Sequence, residues 1–236
     1  MKLFQTLLIS AVSLSLIPAA AVNALTINTI DDLTTSQQTI FTLGDSLPKS
    51  TTVPLSVGDS SILGTIDRTL KIDAQNSPIT PIIQGDIPLP LGGAPGLSFS
   101  NGNGTDGRLD LDYDIDVLSP VNFTQGGADR ISIGLISSDI AGAAVSVRLN
   151  GVTETISPLP IAPPEQVLDF LFSSFAGVDP TLITDFAIII DPVLEGDISV
   201  TILETRGNTT ATPEPATVLG LLAVGLTGRV LRKAKK

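Results

Sequence analysis

The stretch from Arg108 to Val117 limits what this chain can fold into more than any other. Leu109, Leu111, Tyr113, Ile115 and Val117 alternate with Asp110, Asp112, Asp114 and Asp116. A period of two turns the apolar set to one side of a strand and the four carboxylates to the other. A strand with one wet face belongs to an antiparallel sheet that covers a core with its dry face. Four like charges along one face repel unless basic neighbours or a cation compensate. Hard oxygen ligands suit Ca²⁺, which makes Asp110, Asp112, Asp114 and Asp116 candidate calcium ligands, with Asn101, Asn103 and Asp106 just ahead of them. The spacing favours a solvated acidic face instead. Asn101 to Gly107 does not fit the register of an EF-hand loop, and strand aspartates two apart are separated by about 7 Å.

Other short pieces rich in Ile, Val, Thr and Leu fit the same architecture. Thr39–Leu43, Thr51–Val57, Ser61–Ile66, Ile79–Gln84, Ile131–Ile136, Ala144–Leu149, Val152–Ile156, Phe186–Ile190 and Asp197–Glu204 read as strands between turn-forming residues. Asn150-Gly151, between two of them, predicts a type I′ hairpin turn. Pro88, Pro90, Pro95 and the run Asn101 to Gly104 predict a loop over 85–104. One helix is expected inside the domain. Pro163 and Pro164 can open it, Val167, Leu168, Leu171, Phe172 and Phe175 fall at helical spacing, and Gly177 can close it, giving Glu165–Phe175. Gly and Pro number 21 and 17, which suits a loop-rich β protein. The expected fold is therefore a mainly β, antiparallel sandwich over residues 25–205 with one short helix.

Composition removes several kinds of chemistry. The chain has no Cys and no His, so a disulfide framework, a thiolate metal site, a Cys nucleophile and a Ser-His-Asp triad are all impossible. Between leader and basic tail, seven basic residues face 24 acidic ones, a net charge of −17 against −11 for the whole chain. Such a surface repels nucleic acid and anionic lipid. Two carboxylates alone can hydrolyse a glycoside, but no local motif marks a pair. One Tyr and no Trp leave little for stacking on a sugar.

The two ends speak of transport. Met1-Lys2, an apolar run from Leu3 to Ile17, Pro18 and then small residues have the three regions of a secretory signal peptide, with cleavage expected after Ala24 or, alternatively, Ala21. Residues 206–212 read as a polar linker. Pro213-Glu214-Pro215 follows, then an apolar segment from Ala216 to Gly228, then Arg229, Arg232, Lys233, Lys235 and Lys236. As a helix the apolar segment would reach about 20 Å, short of the roughly 30 Å of a hydrocarbon core. Its basic flank would stay in the cytoplasm and leave the domain outside.

This three-part tail, with a leader upstream, resembles the PEP-CTERM sorting signal of bacterial exported proteins. The resemblance implies a sorting segment over 213–236, containing a C-terminal hydrophobic helix, that is read by an exosortase, a membrane transpeptidase, with Pro213, Glu214 and Pro215 as recognition residues in its substrate. It implies passage through the inner membrane to the periplasm, cell surface or extracellular space. Ile131–Ile136 and the closing strand Asp197–Glu204 are loosely similar to the jelly-roll modules of other PEP-CTERM proteins. The expected protein is a non-catalytic passenger at the cell surface or in an exopolysaccharide matrix. A carbohydrate-binding or polysaccharide-hydrolysing protein with the same tail is the alternative.

Overall fold

A computed structural model describes residues 24–42, 48–56, 58–74, 82–87, 95–161 and 166–209. The leader, Pro213-Glu214-Pro215, the expected tail helix and its basic flank lie outside the described residues. Leu25–Thr209 forms one compact unit. It contains β1 (Ala24–Asp31), β2 (Gln37–Thr42), β3 (Lys49–Pro54), β4 (Asp67–Ala74), β5 (Ile82–Ile87), β6 (Leu97–Asn101), β7 (Gly107–Tyr113), β8 (Arg130–Ser138), β9 (Ala144–Leu149), β10 (Val152–Ile156), β11 (Gln166–Leu171), β12 (Phe186–Asp191) and β13 (Asp197–Thr209).

The strands build two sheets. One has the order β11-β8-β13-β6-β5-β2, with β1 also paired to β13; the other runs β10-β9-β12-β7-β4-β3. β8 and β13 pair antiparallel, with Ile133 opposite Leu203 and Ile131 opposite Thr205. The inward phase of each strand supplies the core. Leu70, Ile72, Leu109, Leu111, Val147 and Ile188 of one sheet and Ile83, Phe99, Ile133, Leu135 and Val200 of the other are essentially inaccessible to solvent. Burial of each such side chain is worth roughly 1.5–3 kcal/mol. Phe186 stacks on Tyr113 at 5.0 Å between ring centres and meets Phe123 edge-on at 5.2 Å.

Glu165–Phe175 is not a helix. Gln166–Leu171 is β11, paired antiparallel with β8, and only Phe172–Ser174 turns, as a 3₁₀ segment. Leu168, Phe170 and Phe172 are buried while Val167, Asp169 and Leu171 are exposed. The same residues thus satisfy period two as well as helical spacing. The ladder to β8 decides between them, because it pairs the backbone of an otherwise open edge.

Four other expectations shift. Gly85–Ile87 belongs to β5 and Leu97–Asn101 is a strand with Leu97 and Phe99 buried, so the 85–104 loop is much shorter than expected. Ser61–Ile66 is not a strand: the Ser60 hydroxyl accepts the backbone N–H of Ile62 and Leu63, a local bond that competes with a ladder. β7 stops at Tyr113, and β13 runs on to Thr209, into the stretch read as a linker.

A buried polar tie joins the sheets. Arg68 occupies the inward phase of β4 and is fully buried. Its Nη1 donates to Asp31 Oδ2 at 2.6 Å, its Nε to Gln37 Oε1 at 2.9 Å and its Nη2 to the Thr35 carbonyl at 2.6 Å. The Tyr113 hydroxyl donates to the same Asp31 oxygen at 2.7 Å, and Asp31 Oδ1 accepts Leu33 N–H at 2.8 Å. Burial first, and then the Asp31 charge, push the Tyr113 phenol well above its ordinary value.

Asp59 pins a neighbouring turn. Its carboxylate accepts the Ser56 amide and the hydroxyls of Ser56, Thr35 and Thr34. Burial alone would raise its pKa, but these donors outweigh that and hold it at about 2, against an ordinary 3.8. The bonds therefore add stability above the unfolded value that is lost as pH falls through the folded one, about 2 kcal/mol in all. Urea denaturation near neutrality and at about pH 2 should show this loss. Asp59→Asn should be less stable near neutrality and should lose less on acidification; an acid loss as large as that of the parent would rule Asp59 out as its source.

Candidate functional site

The solvent face of the β10-to-β3 sheet carries one straight row of side chains. Thr52 lies opposite Thr69, Thr69 opposite Asp112, Asp112 opposite Ala187, Ala187 opposite Arg148 and Arg148 opposite Thr153. At the usual strand spacing this row crosses about 24 Å of sheet. Ala187 is its one small member, so the face dips there. The Arg148 guanidinium reaches across the dip, with Nη2 2.7 Å from Asp112 Oδ1.

The predicted hairpin sets the position of that guanidinium. Asn150 and Gly151 have φ of 47° and 80° and join β9 to β10 as expected. Asn150 Oδ1 accepts the N–H of Thr184 at 2.8 Å and of Asp185 at 3.1 Å, while Gly151 N–H donates to Asp185 Oδ2 at 2.9 Å. Asp185 so placed receives Arg148 Nε at 3.1–3.2 Å and Nη2 at 3.1 Å. Hydrogen bonding to Asp185, with the charges of Asp185 and Asp112, holds the Arg148 pKa above its ordinary value despite partial burial. All three side chains remain about one third exposed.

Around them is an open cleft of about 540 Å³, lined by Thr52, Asp67, Thr69, Asp112, Asp114, Arg148, Thr184 and Asp185 together with Tyr113 and Ile115. The Thr52 and Thr69 hydroxyls bond each other at 2.8 Å. Asp114 follows the end of β7, where its N–H donates to the Asp67 carbonyl at 2.9 Å. Both of these aspartates are exposed.

The four candidate aspartates of the sequence are thereby separated. Asp110 is buried and held at both oxygens by Arg108, each bond 2.8 Å. Asp112 belongs to Arg148. Asp114 lies at the cleft rim, and Asp116 accepts Leu118 N–H at 2.8 Å in the following turn. That local bond accounts for the early end of the strand and leaves Val117 exposed. Arginine occupies the place a cation bound to Asp110 or Asp112 would need. No group of three acidic side chains among the described residues could hold a metal ion. Asn101 is buried and donates to the Val193 carbonyl at 2.8 Å, Asn103 is exposed, and burial followed by the Asp191 charge raises the Asp106 pKa. Arg148 was legible as an outward residue of its strand. Its partners, 36 and 37 positions away, were not.

Fold and tail define an antiparallel β-sandwich that carries a sorting signal. The family model of the PEP-CTERM protein-sorting motif matches residues 211–236, and the chain carries that motif. Such a motif implies export with a C-terminal sorting signal. No curated protein matches the chain. Among solved structures, it is similar to a family 11 carbohydrate-binding module from Clostridium thermocellum in complex with a β-1,3-1,4-mixed-linked tetrasaccharide. Identity there is 15%, with 76% of this chain and 94% of that one covered and a TM-score of 0.39. It is also similar to TmCBM61 in complex with β-1,4-galactotriose (6% identity, 59% and 88% covered, TM-score 0.33). A third is a cyclase from Fischerella sp. TAU in complex with 4-(1H-indol-3-yl)butan-2-one (12%, 72% and 89%, TM-score 0.31). Likeness at this level concerns sandwich architecture and nothing more specific.

Proposed function

We propose that the chain is the precursor of a non-catalytic protein of the cell surface or extracellular polysaccharide matrix, released or anchored after an exosortase acts on its tail. The sorting motif at residues 211–236 carries this reading. A non-catalytic role is supported by the lack of His and Cys, which removes the commonest general base and a thiol nucleophile.

Replacing Pro213-Glu214-Pro215 with three alanines, in a host that has an exosortase, tests the sorting. The expected result is a mature mass that still includes the tail and a protein retained in the membrane fraction. The parent should lose both leader and tail mass, or exchange the tail for a new attachment. Identical mass and location for parent and variant would sink the reading. Release of reducing ends from polysaccharides by the purified protein would overturn the non-catalytic part.

A further inference from the structure

We infer that the cleft around Arg148 binds an uncharged saccharide chain, recognised by hydrogen bonds along the Thr52-to-Thr153 row; the inference rests on the reading of the chain as an exported, non-catalytic protein. The lining offers guanidinium donors, carboxylate acceptors and hydroxyls that serve as either. Arg148, Asp112 and Asp185 hold one another in place, so their remaining donor and acceptor positions are fixed before a ligand arrives, which lowers the cost of binding. Of the apolar lining residues, Tyr113 and Ile115 are buried and turn little surface to the cleft. A ligand that fits must itself be dense in hydroxyls and poor in apolar area.

Charge narrows the class. Asp67, Asp112, Asp114 and Asp185 face one arginine in the lining, which repels phosphates, nucleic acid and uronate polymers. The row is long and open at both ends, which suits a stretch of chain rather than a single small molecule. The volume lies within the range of ordinary small-ligand sites. Asp67 and Asp114, directly opposed on neighbouring chain segments and both exposed, supply acceptors beside Thr69 and Asp112. The Thr52–Thr69 hydroxyl pair stands at one end of the row and Thr153 at the other.

Titration of the full exported protein with neutral gluco-, manno- and galacto-hexaose, a glucosamine hexamer and an oligouronate tests this. At least one neutral hexaose should bind, with amide shifts centred on Thr69, Asp112 and Arg148. Thr69→Val combined with Asp114→Asn should weaken that binding roughly tenfold; both positions are on the cleft surface, and the parent fold is checked by its unfolding midpoint. No binding of any neutral hexaose, binding of the charged oligomers only, or shifts elsewhere on the protein would overturn the inference. Mass and location, measured on the same preparations, report separately on the sorting reading. Should the chain stay in the membrane, the titration is done on the solubilised full chain.

Discussion

Arg68→Ala should destabilise the domain by about 3–5 kcal/mol, read as a large drop in the urea midpoint. The residue is fully buried, and its removal leaves the Asp31 carboxylate charged, inaccessible and without its cation. Only Tyr113 and the Leu33 amide would still donate to it. Gln37 Oε1, in a buried bond, and the carbonyl of the half-buried Thr35 would lose donors too. Arg68→Lys should recover only part of the loss, because an ammonium cannot serve Asp31, Gln37 and Thr35 in the fixed fork of a guanidinium. Replacing Arg68 and Asp31 together with Met and Leu should cost far less than Arg68→Ala, since no buried charge is then left over. A single Arg68→Ala variant within about 1 kcal/mol of the parent would show that the sheets are not tied in this way.

Arg68 also marks where sequence reading falls short. In Asp67 to Asp73, Arg68 shares its phase with Leu70 and Ile72, so the period already points it inward. Nothing local shows that Asp31, Gln37 and Thr35 come from the other sheet to meet it. The same division runs through the whole chain. Ala144–Leu149, the Asn150-Gly151 turn and Val152–Ile156 were legible because a hairpin needs only its own residues. β11 was not, since its sequence satisfies two periods and a partner strand far upstream, from Leu135 opposite Gln166 to Arg130 opposite Leu171, settles the choice. β6 was hidden by the prolines ahead of it, although Leu97 and Phe99 alternate cleanly. In the row, Thr52, Thr69, Asp112 and Arg148 face outward as the period of their strands requires. Their gathering into one row depends on a strand order, β10-β9-β12-β7-β4-β3, that no local pattern encodes.

Gly207→Ala should cost about 2–3 kcal/mol by overpacking. A Cβ at Gly207 would lie 2.2 Å from the Gly127 carbonyl oxygen and 2.6 Å from Ala128 Cα. Both are backbone atoms, so no rotamer change relieves the clash and the segment before β8 must move. That segment is fixed where it is by Asp129 N–H donating to the Arg206 carbonyl at 2.8 Å and by Thr26 and Asn28 of β1 donating to the carbonyls of Gly126 and Gln125. Gly85→Ala provides the contrast. Its Cβ would meet the Leu109 and Leu70 side-chain ends, at 2.5 and 3.3 Å, and leucine ends can turn aside. Its cost should be clearly smaller in the same urea titration. The comparison bears on where the domain ends, because Gly207 lies beyond residue 205 and only six positions before Pro213. A large loss at Gly207 means that the sandwich holds its chain as far as Gly207, beyond the expected boundary at residue 205. A loss no greater than at Gly85 would return the last residues of β13 to the linker.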